Sequence, residues 1–209
     1  KSLVKALENG AKQGMSVAIA TAVCGMIVGV VNLTGIGLQL ANMIIKAAGG
    51  SLFFTMLFTM LACVVLGMGM PTSAAYIVAA TVATGAMTSL GVAKAAAHLF
   101  VLYYAALSAI TPPVALASYA GAGIAGASPN KVGWTAVRIG LLAFVIPFIF
   151  VYSPELMMLE GNVLQIIWAF ISACIGCYCL GGATVGYYKC NLKIYERAAL
   201  LVGALCLVI

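Results

Sequence analysis

Apolar runs of helix length alternate along the chain with short polar or helix-breaking segments. A helix needs roughly 20 apolar residues to cross a bilayer. Three runs come close to that length without interruption and are predicted membrane spans: residues 14–34, 133–152 and 163–182. The pattern therefore predicts an all-α polytopic membrane protein.

Two further apolar regions are interrupted in the middle by helix breakers. Residues 51–89 contain two half-length runs joined by GMGMPTS at 67–73, and residues 92–127 are broken by ITPP at 110–113. Glycine is a poor helix former, and proline also lacks the backbone donor that a helix requires. We predict a discontinuous helix over 92–127. For 51–89 two alternatives stay open: a re-entrant hairpin that enters and leaves on one face, or two ordinary spans.

The segment between the first span and these interrupted regions, residues 35–50, holds three polar side chains and ends in a glycine pair. This pattern predicts a short interfacial helix. At the other end, the last apolar run, from Ala198, has only 12 residues, and the chain begins without methionine. We therefore expect a piece of a longer protein, in which residues 159–209 form a truncated C-terminal transmembrane extension.

Composition and charge predict which ends of the apolar runs face the cytoplasm. The chain is 65% hydrophobic and 7% charged, with 10 basic and 4 acidic residues and no aspartate. The basic residues lie mainly at the ends of apolar runs instead of forming one patch, so we predict contact with the lipid bilayer and no nucleic acid partner. In either topology eight of the ten basic residues share one face: Lys1, Lys5, Lys12, Lys131, Arg138, Lys189, Lys193 and Arg197. By the positive-inside rule that face is cytoplasmic, and Glu155 and Glu160 lie on the other.

The two interrupted regions carry the candidate chemistry. Unwound backbone at membrane depth is tolerated only where it is buried in protein or lines a wet cavity. Freed carbonyls and helix C-termini coordinate small cations there, hydroxyls add oxygen ligands, and helix N-termini attract anions. The predicted ion- or substrate-binding residues are Gly67, Gly69, Pro71, Thr72, Ser73, Ser108, Thr111, Pro112 and Pro113. The alternative is that the glycines only permit close helix packing and the prolines only kink.

Several longer motifs are similar to one family of transporters. GMGMPTSAAYIVAATVATGAM, AAAHLFVLYYAALSAITPPVALASYAGAGIAGASPNKVGWTAVRIGL and IPFIFVYSPELM resemble the C-terminal half of the large permease (DctM-like) of tripartite ATP-independent periplasmic (TRAP) transporters. The likeness covers about residues 3–158. It is closest to the fused permeases that pair with TAXI-type solute-binding proteins. It implies an elevator-type ion-transporter-like fold over residues 1–158, comprising half of an inverted repeat.

The resemblance also implies a function. Such permeases import small organic anions, among them carboxylates, by symport with a cation, usually Na⁺, in the cytoplasmic (inner) membrane of bacteria or archaea. A periplasmic solute-binding protein, here of the TAXI type, delivers the substrate. No cofactor is expected; the coupling ion is Na⁺, with a proton as the alternative because of His98.

In that family the tip of the second hairpin and the break in the following helix form one ion site beside the substrate. Carried onto this sequence, the tip is Gly67, Gly69, Pro71 and Thr72, and the break is Thr111, Pro112 and Pro113. The candidate Na⁺ ligands are Gly67, Gly69, Thr72 and Thr111. The family's first half has no counterpart in this sequence. We therefore expect about half of a pseudo-symmetric site, completed by the N-terminal half of the same permease.

Two other functions were compatible with an apolar polytopic chain. An intramembrane hydrolase would need a serine within reach of His98, but no serine here lies in a nucleophile context such as G-x-S-x-G. A non-transporting membrane scaffold would not need two polar breaks in adjacent helices, although a degenerate permease half could keep them, so this alternative stays open. The sequence therefore predicts a transporter component and not an enzyme.

Overall fold

The structure, a computed structural model, describes residues 2–158, 161–187 and 192–208, and its framework is helical. The α-helices are α1 (Ser2–Thr34), α2 (Ile36–Ala47), α3 (Leu52–Gly67), α4 (Thr72–Thr88), α5 (Lys94–Leu107), α6 (Leu116–Ala125), α7 (Pro129–Ile139), α8 (Leu141–Tyr152), α9 (Val163–Val185) and α10 (Ile194–Val208). Single 3₁₀ turns follow α5, at Ser108–Ile110, and α8, at Pro154–Met157. The predicted all-α fold is confirmed. Lys1, Glu160 and Lys189, which entered the predicted charge distribution, lie outside the described residues.

Two helical stretches within the described ranges are long and apolar enough to cross a membrane, Pro129–Tyr152 and Val163–Val185. They coincide with two of the three predicted spans. The first predicted span lies inside α1, which continues without interruption over 33 residues. The end of α1 and α2 would count as one more crossing if taken together, but they are bent by 72° relative to each other.

The interrupted region 51–89 folds as a pair of helices, α3 and α4, that reverse direction between Gly67 and Thr72. Their buried residues share one core, which contains Cys63 from α3 and Ala79 from α4. The helices have 16 and 17 residues. At 1.5 Å per residue each is about 25 Å long, shorter than the roughly 30 Å of the hydrocarbon core. This length favours the re-entrant alternative.

Helix α2 packs lengthwise on the second helix of this hairpin. A Cβ added at Gly37 would lie 2.8 Å from the carbonyl oxygen of Thr81, and one added at Gly85 would lie 3.6 Å from the Cβ of Ala41. From the first contact to the second, the residue number rises by one helical turn in both helices, so α2 and α4 run parallel. The absence of a side chain at Gly37 allows the two backbones to approach this closely. The predicted interfacial helix is thus a packing partner of the hairpin.

The core between the hairpin, α5 and α8 is aromatic. Phe100 and Tyr104 of α5 meet Phe148 of α8, with ring centroids 5.6 and 6.4 Å apart and the rings edge to face. The Tyr104 hydroxyl donates a hydrogen bond of 2.5 Å to the carbonyl of Phe144. Offset and edge-to-face aromatic pairs add about 0.5–1.5 kcal/mol each beyond burial. These contacts hold the part of α5 that precedes the break against α8.

Candidate functional site at the paired helix breaks

The hairpin tip and the break after α5 lie against each other. A Cβ added at Gly67 would lie 2.5 Å from Ser108 Oγ and 2.9 Å from Ser108 Cβ. A Cβ added at Gly69 would lie 3.5 Å from a methyl group of Val114, within the break. Gly67 and Ser108 are both buried. The structure therefore brings the two interrupted regions together through a close approach that only glycine permits at position 67.

The tip itself is shaped by Gly69 and Pro71. Gly69 has φ +77°, a conformation that residues with a side chain rarely adopt. Pro71 precedes α4 with φ −58° and ψ 145°, and its carbonyl accepts the amide of Ala75 at 2.9 Å. The backbone N–H groups at the start of a helix have no acceptor within the helix. The tip therefore presents the partially positive end of α4.

Thr72 and Ser73 occupy the first turn of α4, and both are exposed. No side chain caps this helix end. Within the described residues, neither hydroxyl has a hydrogen bond to the break after α5. They therefore remain available beside the free amides of the helix end, an arrangement that suits a carboxylate.

The break after α5 is stabilised by its own hydroxyl groups. Ser108 Oγ donates to the carbonyl of Ala105, and Thr111 Oγ1 donates to the carbonyl of Leu107, each at 2.7 Å. A hydroxyl that donates in this way keeps its oxygen lone pairs for a ligand. No charged residue occurs at positions 47–93 or 95–130. The oxygen groups at the paired breaks are consequently neutral, which is the kind of donor set that unwound membrane helices offer to Na⁺.

The two prolines of the break contact other elements. Pro112 packs on α7, where a Cβ added at Gly133 would lie 3.2 Å from the proline ring. The carbonyl of Pro113 accepts the hydroxyl of Tyr119 at 2.6 Å. Among the described residues, the contact between tip and break thus rests on Gly67, Gly69 and Ser108 of the predicted set. Thr111 lies one turn further along the break.

Two residues of α6 that the sequence analysis did not single out support the break. Ser118 Oγ is 3.4 Å from the carbonyl oxygen of Ile110, and Tyr119 holds Pro113 and also lies 3.2 Å from Asn130 Oδ1. Side chains on a helix point back toward its N-terminus, so polar residues in the first turn of α6 reach the preceding break. The sequence signal for this support was the presence of a serine and a tyrosine one to two turns after a proline pair.

His98 has a tyrosine as its partner. Its Nδ1 lies 2.9 Å from the hydroxyl of Tyr76, and the two rings meet edge to face at 6.2 Å. The contact joins α5 to the second helix of the hairpin. A hydrolase would instead need a serine oxygen at this nitrogen. The geometry therefore gives no support to a serine nucleophile activated by His98.

Comparison with known proteins identifies one family. Residues 1–163 match the family described as "Tripartite ATP-independent periplasmic transporter, DctM component". No curated protein and no solved structure matches the chain. The matched region contains the hairpin, both breaks and the span Pro129–Tyr152, and it ends where α9 begins.

Proposed function

The chain belongs to the DctM family of TRAP transporter permeases, and we propose that its paired breaks form one ion site of a Na⁺-coupled importer of small organic anions. DctM components are membrane permeases that work with a periplasmic binding protein and a small membrane component. The observation that carries the proposal is the contact between Gly67 at the hairpin tip and Ser108 at the break. The oxygen groups gathered there are neutral, and unwound helix ends of this kind coordinate Na⁺ in membrane carriers.

Na⁺ binding and substrate binding are coupled because the same hairpin tip offers groups to both ligands. The C-terminal end of α3 and the hydroxyls of Ser108 and Thr111 offer oxygen to a cation. The N-terminal end of α4, with Thr72 and Ser73, offers amides and hydroxyls to an anion. A Na⁺ ion bound between tip and break would hold both in one arrangement and so order the α4 terminus for the substrate carboxylate. Each ligand then strengthens binding of the other.

The proposal extends to the rest of the transporter. The N-terminal half of the permease supplies the pseudo-symmetric hairpin and break, and a TAXI-type binding protein delivers a small carboxylate. Transport proceeds by an elevator motion in a multi-pass protein of the cytoplasmic (inner) membrane of a bacterium or archaeon. The support is the likeness of the quoted motifs to fused permeases of this kind, together with the exposed polar groups on the hairpin tip.

Removal of one ligand oxygen tests the ion site. In the complete permease, we expect Thr111→Ala to weaken Na⁺ binding by roughly tenfold or more, since a hydrogen-bond-like contact to a charged group contributes about 1.5–3 kcal/mol. Thr111→Ser keeps the hydroxyl and serves as the matched control. The measurements are Na⁺-dependent uptake in vesicles and the Na⁺ concentration that half-maximally raises thermal stability.

Gly69→Leu provides a second, independent change at the tip, where a side chain at φ +77° is strained and would meet Val114. We expect it to abolish Na⁺-dependent uptake at near-normal expression. Wild-type uptake in both Thr111→Ala and Gly69→Leu would contradict the assignment of the site. A scaffold without transport activity would show no Na⁺-dependent uptake even in the unmodified permease.

The identity of the coupling ion has its own test. With the Na⁺ gradient collapsed and the proton gradient kept, we expect uptake to stop, because the groups at the paired breaks are neutral oxygens with no titrating partner among them. Between Lys46 and Lys131 the titratable side chains are those of Lys94, Cys63, the tyrosines and His98, and of these residue types histidine is the one whose ordinary pKa lies near neutral pH. Uptake that persists on the proton gradient alone and is lost in His98→Gln would establish proton coupling instead.

A further inference from the structure

A groove lies away from the paired breaks, at the junction between the matched region and α9. It is an open groove of about 590 Å³ between the 3₁₀ turn Pro154–Met157 and the first half of α9. Its lining residues include Ser153, Glu155, Leu164, Gln165, Trp168 and Ser172. The charge distribution predicts that this junction lies on the face opposite the cytoplasm. The groove thus opens at the outer boundary of the membrane.

The groove holds a carboxylate beside an amide. Glu155 is half-buried, and within residues 2–158, 161–187 and 192–208 its side chain has no ion pair and no hydrogen bond. A Cβ added at Gly161 would lie 3.0 Å from Glu155 Cγ and 3.1 Å from Gln165 Oε1, so the two side chains converge on the same point. Gln165 Oε1 accepts the backbone amide of Asn162 at 2.9 Å. The NH₂ group of Gln165 is consequently free to donate to a ligand.

An aromatic ring completes the set. Trp168 is 73% exposed on a helix that is apolar enough to cross the membrane. It follows the start of α9 by five residues, about 7.5 Å along the helix axis, which is the depth of the membrane interface. The face of a tryptophan ring attracts ammonium groups. Leu164, 82% exposed, lines the same groove. An apolar side chain exposed at this depth suits contact with an acyl chain, so we take the occupant to be a lipid of the bilayer.

We propose that this groove binds the headgroup of phosphatidylethanolamine from the outer leaflet. The ammonium group lies against Glu155 and the face of Trp168, and the phosphate accepts from the amide of Gln165. One acyl chain follows α9 past Ser172 into the hydrocarbon. The complementarity is one of charge: an unpaired carboxylate favours a lipid with a cationic end and disfavours phosphatidylglycerol, which has only the negative phosphate.

Lipid retention tests the proposal directly. The full chain is reconstituted in nanodiscs that contain equal amounts of phosphatidylethanolamine and phosphatidylglycerol. Native mass spectrometry then releases the protein into the gas phase and counts the lipids that it retains. We expect preferential retention of phosphatidylethanolamine, reduced roughly tenfold in Glu155→Gln because a charge-assisted contact is lost. Trp168→Leu reduces it as well. Glu8→Gln, which removes a carboxylate paired with Lys12 on α1, is the matched control and leaves retention unchanged.

Glu155→Gln preserves the size of the side chain, and an unchanged circular dichroism spectrum and melting temperature show that the fold is intact. Equal retention of the two lipids in the unmodified chain means that the groove holds only acyl chains and overturns the proposal. Retention that Glu155→Gln leaves unaltered overturns it too. Displacement by millimolar soluble phosphoethanolamine, with no preference among lipids, shows that the site recognises a free amine and overturns the lipid assignment.

Discussion

At the scale of single residues, Gly67 decides whether the hairpin tip meets the break. The atoms that crowd this position are Oγ and Cβ of Ser108, and the nearest atom after them is the Cβ of Ala75, at 3.5 Å. A buried side chain in a closely packed region cannot give way freely, and overpacking costs about 1–3 kcal/mol. The role of Gly67 is thus steric, whereas that of Gly69 is conformational.

Substitution of Gly67 has an expected outcome that follows from these contacts. Gly67→Ala separates the tip from the break, lowers the melting temperature and reduces Na⁺-dependent uptake. Gly121→Ala in α6 is the matched control, because a Cβ there meets nothing within 4 Å and alanine favours a helix. Ser108→Gly removes both crowding atoms, so adding it to Gly67→Ala restores the melting temperature. No recovery in the double variant would show that the clash lies elsewhere.

At the scale of elements, the break after α5 is a supported structure and not a simple kink. Its 3₁₀ turn is closed by the hydroxyls of Ser108 and Thr111, and Tyr119 of α6 ties its far end to α7 through Pro113 and Asn130. The carbonyls of Ile110 and Pro113 accept the hydroxyls of Ser118 and Tyr119 of α6, and this support favours a single conformation of the break. The hairpin tip therefore packs against a supported surface at Gly67 and Gly69.

The tyrosine that supports the break can be tested alone. Tyr119→Phe removes the hydroxyl that contacts both Pro113 and Asn130, and we expect a loss of about 1 kcal/mol, which corresponds to a melting temperature about 2–4 °C lower. The Na⁺ concentration for half-maximal uptake rises with it, because the break is less well ordered. In Tyr152→Phe, the control, no hydroxyl contact within the described part of the chain is removed. Equal melting temperatures for the two variants would argue against the support.

At the scale of the whole molecule, the position of the hairpin in the membrane determines whether the paired breaks lie at membrane depth. Helices of 16 and 17 residues fit a re-entrant hairpin better than two full spans. Charge alone cannot separate these topologies, since both return the chain to the same face. The depth of the tip is the quantity that differs.

A nitroxide label measures that depth. In a variant with the seven native cysteines replaced, we expect a label on Ser73→Cys to lie near the bilayer midplane by its relative accessibility to oxygen and to a water-soluble nickel complex. A label on Ser128→Cys, before α7 and close to Lys131, gives the reference for the cytoplasmic surface. If both labels report the same surface depth, α3 and α4 are two spans and the re-entrant topology is wrong.

Local features were predictable because their causes are local. Apolar run length identified the spans that became Pro129–Tyr152 and Val163–Val185, and glycine and proline marked the ends of α3 and the break at Pro112. The parallel packing of α2 on α4 was not predictable in this way, because it depends on the close approach of Gly37 to a carbonyl far along the chain. The support from Ser118 and Tyr119 spans only eight and six residues, and predicting it requires the orientation of α6 after the proline pair.

The sequence by itself determined the all-α membrane class, the positions of the two breaks and the likeness to a transporter family, and its charges predict the orientation. These depend on composition and on the intrinsic preferences of neighbouring residues. Only the tertiary structure decided that Gly67 touches Ser108 and that Tyr119 holds Pro113. The first contact depends on the relative placement of segments distant in sequence, and the second on the placement of α6 after the proline pair. That placement is fixed by side-chain packing, which no local pattern of apolar and polar residues encodes.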